Sequence, residues 1–528
     1  MTERADRLWK RAERYLNENQ IAAARVTLES LAQEAPQNID VHLILAGIAW
    51  DEDRVRDATR HALDAAKMLP DDELLIADVV AALIQSGETV AARKALDHPA
   101  FARSREVSAI ARAASFRYKL AEHAEALKLL DRAKSLGANG AEFRFSRGMQ
   151  LVFNGRLKEA ETELDACLRM PDAPARATLE LARLKKQTPQ KNHLDDLARR
   201  VRSVAPDSEA FAAIEFARYK ELEDLGRYDE AWQSLARANA TMYARHTHDP
   251  AITRKLFERF ESIATPEFLK PADVVHEGPQ PIFIIGMPRS GTTVVDRLLG
   301  NHPDVTLAGE LDDFALQMRW AADHQATLDE TVLDRLHRID YAGLGRRYLD
   351  QTQWRADSKR YFTDKLPRNW MVAGLIAKAL PQAKILHLVR DPMDVCFSNF
   401  RVMFADAFAH IYDMEALASH YNTYRRTMAH WHAAMPGRIL DVVYADLVRD
   451  PETVMRAVLA HCGLEWDPAC VDLTKNESAV ATLSTAQVRE PIHARAIKEW
   501  MRYEKQLEPL RNALASPNAV DGRHASGE

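Results

Sequence analysis

Cysteine is scarce in this chain: four residues in 528, Cys167, Cys396, Cys462 and Cys470, none at metal-ligand spacing. That scarcity gives no sign of a disulfide framework or a cysteine zinc site, so a reducing cytoplasm is the expected compartment. Long apolar runs are also missing. No stretch reaches the roughly 20 residues needed to cross a bilayer, and the charged N-terminus has no signal-peptide core. Nor is there an excess of positive charge. The formal net charge of −6 offers no global attraction to nucleic acid or an acidic membrane. The remainder, 47% hydrophobic and 28% charged, is a globular composition in a chain too long for one ordinary core. Two or three domains are expected.

The first half carries a repeat. Ala24, Ala58, Ala92, Ala126 and Ala160 recur at a constant spacing of 34. Five residues before each stands Asn19, Asp53, Gly87, Ala121 or Gly155, where a tight turn between helices belongs. Twelve before each stands Ala12, Ala46, Val80, Ala114 or Gly148, mostly small residues that let paired helices approach closely. Pro36 and Pro70 end two units, a further unit closes around Pro206, and Gly226 opens the second helix of a last one. This is the period and small-residue pattern of tetratricopeptide (TPR) repeats. Residues 1–245 are therefore expected to form an all-α solenoid, with 246–280 a helical extension and proline-containing linker. A concave TPR face serves either as a platform for a protein partner or as a packing and homodimerisation surface, and the sequence does not separate the two.

Beyond residue 280 the pattern changes. Short β-branched runs at 282–285, 305–307, 385–389 and 439–443 alternate with helical stretches, as in an α/β domain with a parallel central sheet. The first run leads into Gly286-Met-Pro-Arg-Ser-Gly-Thr-Thr293 and then a helical segment. Strand, glycine turn and helix N-terminus make an anion site, because backbone N–H groups and the helix dipole converge there. Gly286 and Gly291 have Walker A spacing, but Thr292 stands where that motif needs lysine, and the positive charge sits inside the loop at Arg289.

Pro288-Arg-Ser-Gly-Thr-Thr293 resembles the 5′-phosphosulfate loop of sulfotransferases, most closely the tyrosylprotein branch and its bacterial relatives. The resemblance implies 3′-phosphoadenylyl sulfate (PAPS) as donor, adenosine 3′,5′-bisphosphate as product, and no metal. It places Pro288, Arg289, Ser290, Gly291, Thr292 and Thr293 on the phosphosulfate. Glu310 falls where the family carries its catalytic base, and a carboxylate can take the acceptor proton as the S–O bond forms. Lys365, in Asp-Lys-Leu-Pro-Arg-Asn369, matches the lysine that stabilises charge on the leaving phosphate. Asn369 is read as fixing that loop. Arg390 and Ser398, in Arg-Asp-Pro-Met-Asp-Val-Cys-Phe-Ser398, resemble the family's 3′-phosphate pair.

Further along the resemblance thins. Arg401 is the nearest match to an additional basic residue, Tyr444 to a tyrosine bordering the nucleotide, and Lys498 lies one residue out of register with a family lysine. Ser484 matches a donor-binding serine that also helps stabilise the transition state. Residues 281–512 are thus expected to be a PAPS-dependent sulfotransferase domain, followed by a polar tail at 513–528. The acceptor hydroxyl stays open: a protein or peptide, including tyrosine, or a carbohydrate. Two rival readings are a P-loop kinase or NTPase, opposed by Thr292, and a TPR scaffold with an inactive nucleotide-binding domain, opposed by Glu310 and Lys365.

Overall fold

The computed structural model describes residues 2–404, 406–476 and 497–515. These pack as two compact units. The first comprises Met1–Ala138, Ala272–His276 and Leu311–Trp354; the second comprises Asn139–Pro271, Glu277–Glu310 and Arg355–Glu528.

Helix pairs make up most of the first unit: Glu3–Asn17 with Ile21–Glu34, Ile39–Asp51 with Val55–Ala65, Glu73–Gln85 with Thr89–Leu96, and Val107–Lys119 with His123–Ser135. Each pair turns on a residue of left-handed backbone. These are Asn19 (φ 55°), Asp53 (φ 58°), Gly87 (φ 76°) and Ala121 (φ 61°), the positions the period marks. The next N–H then reaches back to close the first helix. Gln20, Arg54, Glu88 and Glu122 donate to the carbonyls of Tyr15, Ala49, Leu83 and Arg117 at 2.8–2.9 Å. This Schellman closure satisfies carbonyls that a bare helix end would leave open. The phased alanines Ala24, Ala92 and Ala126 are fully buried, which is what close helix approach requires.

The stretch Leu311–Trp354 was read as part of the α/β domain, yet its helices Asp313–Ala322 and Tyr341–Thr352 pack with the repeats. Polar contacts at the Gly87 turn hold them. Glu88 accepts from Arg347 Nη2 at 2.5 Å and Gln351 Nε2 at 2.9 Å, Gln317 Nε2 donates to the Gly87 carbonyl, and Thr89 Oγ1 donates to the Gln351 carbonyl. Burial makes such groups costly when unpaired, so each is matched.

In the second unit the helical pattern continues through Ala141–Phe153 with Leu157–Leu168 and Glu209–Asp224 with Tyr228–Ala244, turning on Gly155 (φ 76°) and Gly226 (φ 73°). Helix Pro250–Ile263 lies in the stretch 246–280, expected to be a helical extension and linker. Its Phe260 packs edge-on against Trp431, and Phe257 stacks on Trp370. Burying such aromatics stabilises by about 1.5–3 kcal/mol each, so this segment is part of the core.

Five strands follow: β1 (Gln280–Gly286), β2 (Val305–Leu307), β3 (Tyr361–Asp364), β4 (Lys384–Val389) and β5 (Ile439–Val443). All pair in parallel, in the order β2-β3-β1-β4-β5. Ile282, Ile284, Leu386, Leu388 and Val442 share one buried face with Val295 and Leu298 of helix Thr292–Leu299 and with Met455 and Val458. Strand β3 was missed as a strand. Tyr-Phe-Thr-Asp is only four residues long and carries a buried aspartate at its end, so it has no apolar run to read. At the C-terminus, helix Glu508–Ala515 extends three residues into the stretch expected to be tail.

The turns make a test of opposite signs. Ala121→Gly removes the left-handed strain of a Cβ and is expected to raise the melting midpoint, by roughly 0.5–1 kcal/mol of stability. Gly87→Ala should lower it, because the new Cβ would stand 2.9 Å from both Leu316 Cβ and Gln317 Nε2. Thermal melts followed by circular dichroism check both; equal shifts in one direction would contradict the closure.

Candidate functional site

Parallel pairing brings every strand's C-terminal end to one edge, where ligands of such sheets bind. At the end of β1 the chain enters its glycine loop. Gly286 (φ 147°) and Gly291 (φ 109°) bracket Arg289, itself left-handed at φ 66°. Both glycines are required by space as well as conformation. A Cβ on Gly286 would stand 2.8 Å from the Leu388 carbonyl, and one on Gly291 would enter the Tyr444 ring. Gly291 caps helix Thr292–Leu299 without a side-chain acceptor, so the first-turn N–H groups face the loop with the positive dipole end behind them. Thr292, Thr293 and Ser290 are buried, and among the described residues the Ser290 Oγ has no hydrogen-bond partner.

The cations around this loop form one cluster. Arg289 Nε lies 3.4 Å from Ser398 Oγ, and Arg390 Nη1 donates to the Arg289 carbonyl at 2.9 Å. The Arg390 guanidinium also sits over the Tyr444 ring, 5.0 Å from its centroid. Burial, with Arg401, Arg390 and Arg183 nearby, pushes the Arg289 guanidinium down to about 9. Arg390 is pulled down too, chiefly by burial. Crowded, desolvated cations gain by taking up an anion. Arg289 reaches toward Ser398 and stands with Arg390, rather than apart from that pair on the loop.

Arg401 also departs from expectation. Its guanidinium is held by Glu499 at 2.6 Å and Glu223 at 3.7 Å. Burial pulls it down, but Tyr219 and these two carboxylates outweigh that and hold it above the ordinary arginine value, so its charge is already matched. Lys498 takes part through its backbone: the N–H donates to Asp394 Oδ1 at 2.7 Å, on the helix Pro392–Phe400 that follows Arg390. Ser484 lies outside the described residues.

The second half of the site is an ion pair. Glu310 lies three residues after β2, and Lys365 directly after β3. Because those strands are neighbours, Lys365 Nζ donates to Glu310 Oε1 at 2.5 Å, and the Lys365 N–H donates to the Gly309 carbonyl at 2.9 Å. The two side chains differ in access: Lys365 is 2% exposed and Glu310 is 40% exposed. A buried cation thus holds a carboxylate that solvent, or an acceptor, can reach. Asn369 Nδ2 donates to Asp364 Oδ1 at 3.3 Å, bracing the loop that presents Lys365.

Three supporting groups escaped the sequence reading. Asn399 Nδ2 donates to the Pro288 carbonyl at 2.8 Å, tying helix Pro392–Phe400 to the glycine loop. Tyr424 hydrogen-bonds the Met287 backbone and meets His387 Nε2 at 2.5 Å, while His387 Nδ1 meets Asp441 Oδ1 at 2.7 Å. Asp296, on the helix after the loop, is buried, and its Oδ1 has no partner among the described residues. None belongs to a local motif; each is defined only by what the fold sets beside it.

Asp296 carries a pH signature. Burial raises its carboxyl above the ordinary value, offset in part by Lys365 and Thr363. As pH climbs past the ordinary aspartate value of about 4, the unfolded chain ionises first, and the folded form loses relative stability. Asparagine cannot ionise. The stability of Asp296→Asn relative to wild type should therefore rise between about pH 4 and 7, read from paired thermal melts. A difference that shrinks with pH would refute the burial argument.

Comparison with known proteins places this edge in context. Residues 281–468 match the family model described as Sulfotransferase family. An uncharacterized protein of Aquifex aeolicus is 31% identical over 319 residues, covering 58% of this chain and 42% of the relative. Protein-tyrosine sulfotransferase 2 of Gallus gallus is 26% identical over 258 residues, covering 42% of this chain and 62% of the relative. The match thus spans less than two thirds of either relative. Among solved structures, the sulfotransferase domain of the Synechococcus PCC 7002 olefin synthase aligns with TM-score 0.32 and 22% identity, over 44% of this chain and 91% of that domain. Residues 281–468 are thus sulfotransferase-like, and an array of TPR-like helix pairs precedes them in the chain.

Proposed function

We propose that residues 281–512 move a sulfuryl group from 3′-phosphoadenylyl sulfate to an acceptor hydroxyl, with protein tyrosine as the first acceptor class and carbohydrate as the second. The observation that carries this reading is the Glu310–Lys365 pair, set at the same sheet edge as the glycine loop and its arginines. The residues present fit a doubly phosphorylated donor. A cradle that two Cβ atoms would fill, a buried hydroxyl lacking a partner among the described residues and two guanidiniums lowered by burial all call for anionic oxygens.

When bound, the donor supplies a sulfuryl group whose leaving group is a phosphate. The loop amides at 286–293, with Ser290, Thr292 and Thr293, bind and orient that end. Arg289, Arg390 and Ser398 hold the remaining phosphate, and Tyr444 closes the space between loop and Arg390. Glu310, the reachable member of its pair, takes the proton from the acceptor hydroxyl at a carboxylate oxygen. Lys365 neutralises charge developing on the leaving oxygen. Because protein cations provide that charge, this scheme routes no step through a metal. Ser484 completes the set as a donor contact. The TPR array serves as the platform for the acceptor or a partner protein.

Calorimetric titration with adenosine 3′,5′-bisphosphate, with and without EDTA, tests the donor site. Binding is expected in both buffers and should be lost in Arg289→Ala and Arg390→Ala. Glu310→Gln should bind the nucleotide as wild type does, yet lower turnover of labelled donor by about 10²–10⁴-fold. Binding confined to ATP with Mg²⁺ would overturn the reading in favour of a P-loop kinase.

A further inference from the structure

The second helix pair of the array sets two buried imidazoles face to face. His42 stands on helix Ile39–Asp51 and His61 on helix Val55–Ala65, and their Nδ1 atoms are 3.2 Å apart. Each side chain is about 6% exposed. On the far side of His42, Nε2 lies 2.9 Å from the Pro36 carbonyl. A carbonyl only accepts, so that nitrogen carries the proton and Nδ1 presents its lone pair toward His61. Orientation of a ring by a backbone carbonyl is the usual support behind a metal-binding histidine. Asp64 follows His61 by three residues, which places it on the same helix face. One ligand atom from each of His42, His61 and Asp64 lies within 4.8 Å of the other two.

We propose that this helix pair binds a divalent transition-metal ion of the zinc class through His42 Nδ1, His61 Nδ1 and a carboxylate oxygen of Asp64, with water at a fourth position. The separation of the two Nδ1 atoms suits it: an ion held at about 2.0–2.1 Å from nitrogen in tetrahedral geometry sets neighbouring ligands about 3.3 Å apart, and Asp64 lies near enough to close in on it. Two imidazoles and a carboxylate are also the donor set that borderline metals prefer. Without an ion, one of the two facing Nδ1 atoms must carry a proton, and with His42 fixed by Pro36 it is His61. Its Nε2 is then the acceptor for Arg60 Nη2, at 3.4 Å. Coordination through His61 Nδ1 moves the proton to Nε2, turning that contact into two opposed donors. Arg60 is 57% exposed at its side chain and pairs with Asp57, so it can swing away at modest cost.

A second cluster, His387, His432 and Asp441, has the same donor types. There both imidazoles already share Asp441 Oδ1, at 2.7 and 2.9 Å, and His387 Nε2 meets Tyr424. That network is closed by its own hydrogen bonds and braces the glycine loop. In the repeat, by contrast, the Asp64 carboxylate bonds Lys67 at 2.7 Å and completes no bond to either histidine. An ion there would tie the two helices of one repeat together.

The untagged full chain, stripped with EDTA, is titrated with Co²⁺ for its visible absorption and with Zn²⁺ by calorimetry. One equivalent is expected, with the strong band of four-coordinate cobalt. The band should vanish in His42→Gln/His61→Gln and persist in His432→Gln. Two gentler variants keep the test decisive where the double variant fails to fold. Asp64→Asn should weaken binding by about tenfold or more, whereas Arg60→Ala should tighten it by about tenfold, because the opposed donor is gone. No saturable binding, a band lost in His432→Gln instead, or no response to either Asp64→Asn or Arg60→Ala would overturn the proposal.

Discussion

In a sheet whose five strands all run the same way, each strand must deliver its last residues to one edge, and a crossover must carry the chain back. Arg289, Glu310, Lys365, Arg390 and Tyr444 each follow a different strand, and only that shared direction makes them neighbours. Register does the finer work. With Leu307 paired to Thr363, the residues after β2 and β3 run on together, so Glu310 and Lys365 meet. With Gly286 paired to Leu388, the glycine loop and Arg390 leave the sheet side by side. Parallel pairing is thus the constraint behind the site's geometry, and the burial of both sheet faces is what makes that pairing stable.

Charge at this edge is arranged at a cost. Burial lowers both Arg289 and Arg390, and setting these cations next to one another opposes folding. In the same neighbourhood Glu499 and Glu223 meet the largely buried Arg401 guanidinium. Lys365, too, is buried against a single half-exposed carboxylate, that of Glu310.

The repeat array runs on a different principle. Its stability accumulates pair by pair, each pair closed by a left-handed turn and sealed by alanines too small to hold the helices apart. Extra helices join it where the Gly87 turn exposes backbone groups. Gln317, Arg347 and Gln351 satisfy that turn and Glu88, so a segment beginning at Leu311, next to Glu310 in sequence, belongs with the repeats in packing.

Much of this was legible in the chain alone, wherever a requirement is local. A left-handed turn needs Gly, Asn or a tolerated small residue at one position, so the repeat spacing of 34 could be read directly. A phosphate-type loop needs glycine at two, so Gly286 and Gly291 announced it, and four of the five strands declared themselves as apolar runs. Local pattern carried no trace of β3, whose burial comes from its neighbours rather than from its composition. Nor could it show that Arg289 joins Arg390 while Arg401 is spent on Glu223 and Glu499, or that Asn399 and Tyr424 brace the loop. Which residues meet across a hundred positions depends on strand order and register. Those are set by burying whole faces at once, a property of the packed chain and of no single stretch in it.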